Sequence, residues 1–249
     1  MQLGGIVLRP LLAILVLIVP STRVAAGCIE PAALAHSTVS IMRHFDDKEM
    51  AAHPDVLGIR ATGWFLSPTS MATVEHVTAA MHLSDQDWKD LEIRKGESRH
   101  SIPARIRRLV GSSAYKIAVV ELQTAFAGAQ GSPLRMESLV PDEPVVSLAY
   151  PGGELRVVGG RFVKYGVDGR LAGTALLEMH DRDDRLVLDY GASGAPVFDC
   201  TGRVAAAVSN LFTTTMQLMS RTIRISTAWG QPNIVSVPTP VLSDFARAD

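Results

Sequence analysis

The strongest chemical signal in the sequence is a serine set among small residues, Gly191-Ala192-Ser193-Gly194-Ala195-Pro196, followed by the apolar pair Val197-Phe198. On a tight turn, such a serine can present its oxygen to a substrate carbonyl. The glycine two residues earlier lets the backbone bend until N–H groups converge on one point. Donors aimed at a developing oxyanion are commonly the largest single catalytic contribution, with one donor worth about 3–4 kcal/mol. Taken alone, the tetrapeptide also describes a plain hairpin turn. A second feature lies upstream, where Ala61-Thr62-Gly63-Trp64-Phe65-Leu66-Ser67-Pro68 leads through Met71-Ala72-Thr73-Val74 to Glu75-His76-Val77. This reads as strand, turn, strand, and then a histidine opening a short helix. Imidazole is the side chain whose ordinary pKa suits it to take and return a serine proton near neutral pH.

The elements that must position these two residues are short β-strands. Apolar, β-branched runs occur at Ser37–Met42, Gly58–Leu66, Ile102–Val110, Ile117–Leu122, Pro144–Ala149, Arg156–Val163, Leu171–Met179, Arg185–Leu188, Ala195–Phe198 and Arg203–Val208. Turn signals separate them, among them Ser67-Pro68, Pro151-Gly152-Gly153, Val167-Asp168-Gly169 and Cys200-Thr201-Gly202. That rhythm predicts an all-β sandwich or barrel. One helical turn is expected over Val77–Met81 and a closing helix from Pro240 to about Arg247. Gly128, Gly131, Pro133 and Pro141 interrupt the strand pattern, so two barrels would divide there, with His76 in the first and Ser193 in the second.

Composition narrows the function classes. A formal charge of −1 gives no long-range attraction to nucleic acid or anionic membrane. At the N-terminus, Arg9 precedes the apolar run Leu11–Val19, Pro20 closes it, and the small residues Val24-Ala25-Ala26 follow. This predicts a signal peptide over residues 1–26 and export to the periplasm or beyond, because Arg9-Pro10 interrupts the run of about 18–20 apolar residues that a membrane span needs. The two cysteines, Cys28 and Cys200, suit a disulfide in an oxidising compartment. The alternative, lipidation of Cys28, fits less well because Ala25 stands where a larger aliphatic residue is usual. His44-Phe45-Asp46-Asp47 lacks metal-ligand spacing and reads as a solvated loop. His180-Asp181-Arg182-Asp183-Asp184 reads as a charged hairpin tip, and Arg105–Arg108 as an exposed strand face without aromatic interleaving for nucleic-acid stacking. No metal or organic cofactor is called for.

Taken together, these segments resemble the chymotrypsin-like serine peptidases, most closely the bacterial HtrA/Deg branch. The approach to "EHV" resembles the segment that delivers the family's histidine, and "SIPARIRRLVGSSAYKIAVVEL" the stretch that carries its aspartate. "VVSLAYPGGELRVVGGRFVKY" is similar to the hairpin opening the second barrel, and "GASGAPVFDCTGRVAAAVSN" to the nucleophile turn and the strand that pairs with substrate. "NIVSVPTPVLSDF" is similar to the last strand and closing helix. The resemblance spans most of residues 37–246 and leaves no segment for an appended PDZ domain. It implies two six-stranded antiparallel β-barrels with a short C-terminal helix, the first barrel over about 37–128 and the second over about 142–238. It further implies Ser193 as nucleophile, His76 as general base, and the amides of Gly191 and Ser193 as the oxyanion hole. Ser209 and Asn210 would hold a polypeptide substrate as an added strand, and Val187-Leu188 would help line an apolar specificity pocket.

One departure from the family pattern stands out. The residue before Ile117-Ala118-Val119-Val120, where the family has its aspartate, is Lys116. That carboxylate fixes the imidazole tautomer and stabilises the imidazolium, and its neutral amide lowers turnover about 10⁴-fold in the best-studied triad. Three outcomes follow. Glu75, the nearest carboxylate in sequence, substitutes; or a Ser193–His76 dyad works slowly; or the chain is a pseudopeptidase that binds peptides without cutting them.

Overall fold

The computed structural model describes residues 28–112, 114–181, 188, 190–211, 213–218, 221–226 and 231–243. The expected signal peptide therefore lies outside the described residues, as do residues 182–187, most of the expected charged hairpin tip. The first unit opens with α1 (Pro31–Leu34), β1 (Thr38–His44), α2 (Asp47–Ala52), β2 (Gly58–Ser67), β3 (Ser70–Val74) and α3 (Glu75–Ala80). It ends with β4 (Lys89–Lys95), β5 (Ser98–Gly111) and β6 (Lys116–Leu122). The second contains β7 (Pro144–Ala149), β8 (Arg156–Tyr165), β9 (Ala175–His180), β10 (Pro196–Asp199), β11 (Val204–Leu211), β12 (Thr213–Leu218), β13 (Arg221–Ser226) and β14 (Ile234–Pro238). Strands close into two antiparallel barrels, in the order β1-β2-β3-β6-β5-β4 and β10-β11-β14-β9-β8-β7, while β12 and β13 form a separate hairpin.

Burial follows from where each strand sits. β8 is only partly buried: Val158 and Phe162 are buried, while Arg156 and Lys164 near its ends face solvent. Along β2, by contrast, Ala61 to Phe65 are buried without a break. One face fills the barrel, and the other lies beneath the connection between barrels, where Phe126 packs on Phe65 at 5.2 Å between ring centroids. That connection, 123–143, is tied down rather than loose. Arg135 N–H donates to the Val204 carbonyl at 2.8 Å, Val204 N–H donates to the Pro133 carbonyl, and Thr239 Oγ1 donates to the Arg135 carbonyl.

Several expectations need correction. Of the expected closing helix, the described part is a 3₁₀ turn over Thr239–Leu242, and residues 244–249 lie outside the described residues. The span begun at Leu171 as a strand is a 3₁₀ turn over Gly169–Leu171, with the strand starting only at Ala175. The segment read as a solvated loop at His44–Asp47 includes the cap of α2. Asp46 accepts from the Glu49 N–H while Glu49 accepts from the Asp46 N–H, a reciprocal capping box. Its hidden signal is Asp46 with Glu49 three residues on. The described residues contain no helix long and apolar enough to cross a membrane. They also contain no group of His, Cys, Asp or Glu side chains placed to hold a metal.

Candidate active site

Ser193 stands on a turn between the barrels, just ahead of β10. Gly191 and Gly194 flank it at φ +97° and +88°, a region that glycine enters without penalty. Space enforces the same choice at Gly194, where a Cβ would lie 2.1 Å from both the Thr62 carbonyl oxygen and Thr73 Oγ1. Two carbonyls of the turn are pinned. Tyr190 accepts from Gly152 N–H at 3.2 Å, and Ala192 accepts from Ala195 N–H at 3.0 Å. In a trans peptide the N–H points opposite to its carbonyl. The Gly191 and Ser193 amides therefore point away from those bonds, and among the described residues neither has a hydrogen-bond partner. A pair of unspent donors beside a serine is the arrangement that an oxyanion would meet.

His76 reaches the site through register. β3 pairs antiparallel with β6, setting Val74 against Ile117. One step further along, Glu75 faces Lys116, and Lys116 Nζ donates to Glu75 Oε1 at 3.0 Å. α3 then seats Val77 and Met81 in the core, which turns His76 outward. His76 lines an open pocket of about 300 Å³ together with Glu75, Ala114, Tyr115, Lys116, Ser209 and Asn210. Partial burial of the ring lowers the His76 pKa from its ordinary 6.5, and the Glu75 charge works in the opposite direction.

Ser193 and His76 meet at Ser209 rather than bonding to one another. Ser193 Oγ donates to the Ser209 carbonyl at 3.3 Å, and Ser209 also borders the pocket that holds His76. Among the described residues the His76 ring has no hydrogen-bond partner. Glu75, the candidate surrogate carboxylate, is committed to Lys116, and both side chains are about one-third exposed. Their mutual pairing cancels much of the cation that Lys116 would otherwise present to the imidazole.

Ser209 occupies a bulge in β11, whose register against β14 shifts between Val208 and Asn210. β11 pairs with β10 only as far as Ala207. Beyond that point Ser209, Asn210 and Leu211 keep one strand edge unpaired among the described residues. Leu188, expected in a specificity pocket, is buried in the core of the second barrel, and Val187 lies outside the described residues. Cys28 and Cys200 form the expected disulfide, joining the segment ahead of α1 to the end of β10.

Thr62 escaped the sequence reading. Its hydroxyl donates to the Gly191 carbonyl at 2.7 Å and accepts from Tyr150 N–H at 2.9 Å, and its own N–H donates to the Ser193 carbonyl at 3.0 Å. Nothing in the local sequence marks it, because a threonine in a strand is ordinary and all three of these partners lie in the other barrel.

The family model described as trypsin-like peptidase domain matches residues 61–206, more than half of the chain. The chain belongs to the trypsin-like peptidase family. Solved structures agree with this peptidase fold. The active form of the Rv3671c protease from M. tuberculosis is 16% identical, aligning 86% of this chain with 81% of that chain at a TM-score of 0.57. The inactive form of the same protease is 17% identical, aligning 87% with 90% at a TM-score of 0.54. No curated protein sequence matches this peptidase-family chain.

Proposed function

We propose that the chain is an exported serine endopeptidase that works without a triad carboxylate, and therefore slowly. Ser193 attacks the peptide carbonyl while His76 takes its proton, forming the Oγ–carbon bond. The amides of Gly191 and Ser193 hold the resulting oxyanion. His76 returns the proton to the leaving amine as the carbon–nitrogen bond breaks, and water then releases the acyl-enzyme. A polypeptide lies along the unpaired edge of Ser209–Leu211 as an added strand. No nucleic acid, metal or organic cofactor takes part. The observation that carries this reading is the nucleophile turn, with two unspent amides beside a serine whose hydroxyl shares Ser209 with the histidine's pocket. Catalytic hydrogen bonds are often long or misaligned before substrate arrives. The present Ser193–Ser209 contact is thus compatible with a hydroxyl that turns to His76 on binding.

Labelling by a fluorophosphonate probe tests the reading: wild type reacts and Ser193→Ala does not. Absence of labelling in both at high probe concentration overturns it.

A specific observation favours a second reading, that of a peptide-binding pseudopeptidase. Lys116 and Glu75 occupy one another, and among the described residues the His76 ring is left without an orienting partner. Unlabelled wild type that still binds extended peptides would select it.

A further inference from the structure

We propose that Thr62, a residue of the first barrel, is a positioning residue that holds the oxyanion-binding turn of the second barrel in its productive shape. The inference rests on the peptidase reading above and adds a residue to it.

All the polar atoms of Thr62 are hydrogen-bonded, and two of them, the hydroxyl and the N–H, hold this turn. The hydroxyl proton can go only to the Gly191 carbonyl, since the other partner, Tyr150 N–H, is a donor and must be accepted. The Thr62 N–H holds the Ser193 carbonyl, and the Thr62 carbonyl accepts from Thr73 Oγ1 at 2.9 Å. Thr62 and Thr73 are both fully buried, so water cannot replace either hydroxyl. The two carbonyls that Thr62 holds, those of Gly191 and Ser193, lie on either side of the Ala192–Ser193 peptide that carries one oxyanion donor. Gly191 itself has positive φ, and a glycine can rotate its flanking peptides at little steric cost. The Thr62 bond opposes that rotation directly. Only a side chain that donates and accepts at one atom does both jobs, which restricts the position to threonine or serine. Valine, of the same shape, leaves a buried carbonyl and a buried N–H unpaired at once.

Displacing a catalytic donor by about 1 Å costs on the order of 10² in rate, and losing one entirely costs about 10²–10³. Thr62→Val is therefore expected to lower kcat and the fluorophosphonate labelling rate by about 10²-fold, with KM changed much less. Thr62→Ser should restore most of the loss. Amide hydrogen exchange across 191–195 should quicken in Thr62→Val and stay near wild type in Thr62→Ser; this readout needs no activity. Should Thr62→Val not fold, Thr73→Val weakens the same clamp by one bond and is expected to show the same pattern at smaller amplitude. Active wild type with equally active Thr62→Val overturns the proposal while leaving the peptidase reading intact, and unchanged exchange in the turn overturns it even if the chain has no activity. Wild type that fails to label, with exchange responding as expected, overturns the peptidase reading and keeps the positioning role.

Discussion

The two halves of the site are held with very different firmness. On the second barrel, the nucleophile turn is fixed from several sides: Thr62 holds two of its carbonyls, Gly152 and Ala195 hold two more, and Gly194 fits only because it lacks a Cβ. On the first barrel, His76 rides at the start of a six-residue helix that no side chain caps, and its ring borders an open pocket with no orienting partner among the described residues. The Lys116–Glu75 ion pair beside it is partly exposed, and such pairs contribute only about 0–1 kcal/mol. On the proposed mechanism, electrostatic preorganisation for an oxyanion would be retained while the orientation of the base would not. These are separable contributions, which is why a residual rate above that in water survives loss of a triad member.

The sharpest way to break this comparison is Lys116→Asp. If the base half is the weak half, peptide hydrolysis rises by up to about 10⁴-fold. A rate equal to wild type in a steady-state assay would mean that the missing carboxylate is not what limits the site. Next in size is Gly194→Ala, which forces a Cβ against the Thr62 carbonyl oxygen at 2.1 Å on a positive-φ backbone. Urea unfolding should register a loss of roughly 3 kcal/mol or more, and labelling of Ser193 should disappear. A stable, reactive Gly194→Ala would show that the turn is not rigid. Replacing Cys28 and Cys200 together by serine removes the covalent tie at the end of β10, for an expected loss of about 2–4 kcal/mol in unfolding experiments. The labelling rate should hold, since the tie lies beyond the clamped turn.

The smallest effect concerns pH. On the proposed mechanism His76 must be neutral to act as base, so activity should fall as pH drops through its pKa, which burial places below the ordinary 6.5. The Glu75 charge favours the imidazolium and raises that pKa. Glu75→Gln should therefore move the acid limb of kcat/KM to lower pH, and a shift to higher pH would contradict the electrostatics described for this half.

Much of this was legible in the chain itself. A strand-rich fold, Ser193 on its glycine turn and His76 at a helix start follow from local pattern, because strand period, turn chemistry and small-residue spacing are written in neighbouring residues; the double barrel was implied by the family resemblance, and the disulfide by the pair of cysteines. The misreadings have local causes too. The charged α2 looked like loop because no apolar stripe marks it, and the β12–β13 hairpin passed unnoticed behind polar composition.

By itself, the sequence determined which groups exist for chemistry and that a lysine, Lys116, precedes Ile117-Ala118-Val119-Val120. Only the tertiary structure decided what those groups touch. Lys116 meets Glu75 because the β3–β6 register carries past Val74 and Ile117. Ser193 turns to Ser209 because a bulge in β11 places that carbonyl within reach. Thr62 becomes the clamp because packing one barrel on the other brings residues separated by 129 positions to a hydrogen bond. Contacts of that range depend on the relative placement of two closed sheets, and no window of sequence encodes it.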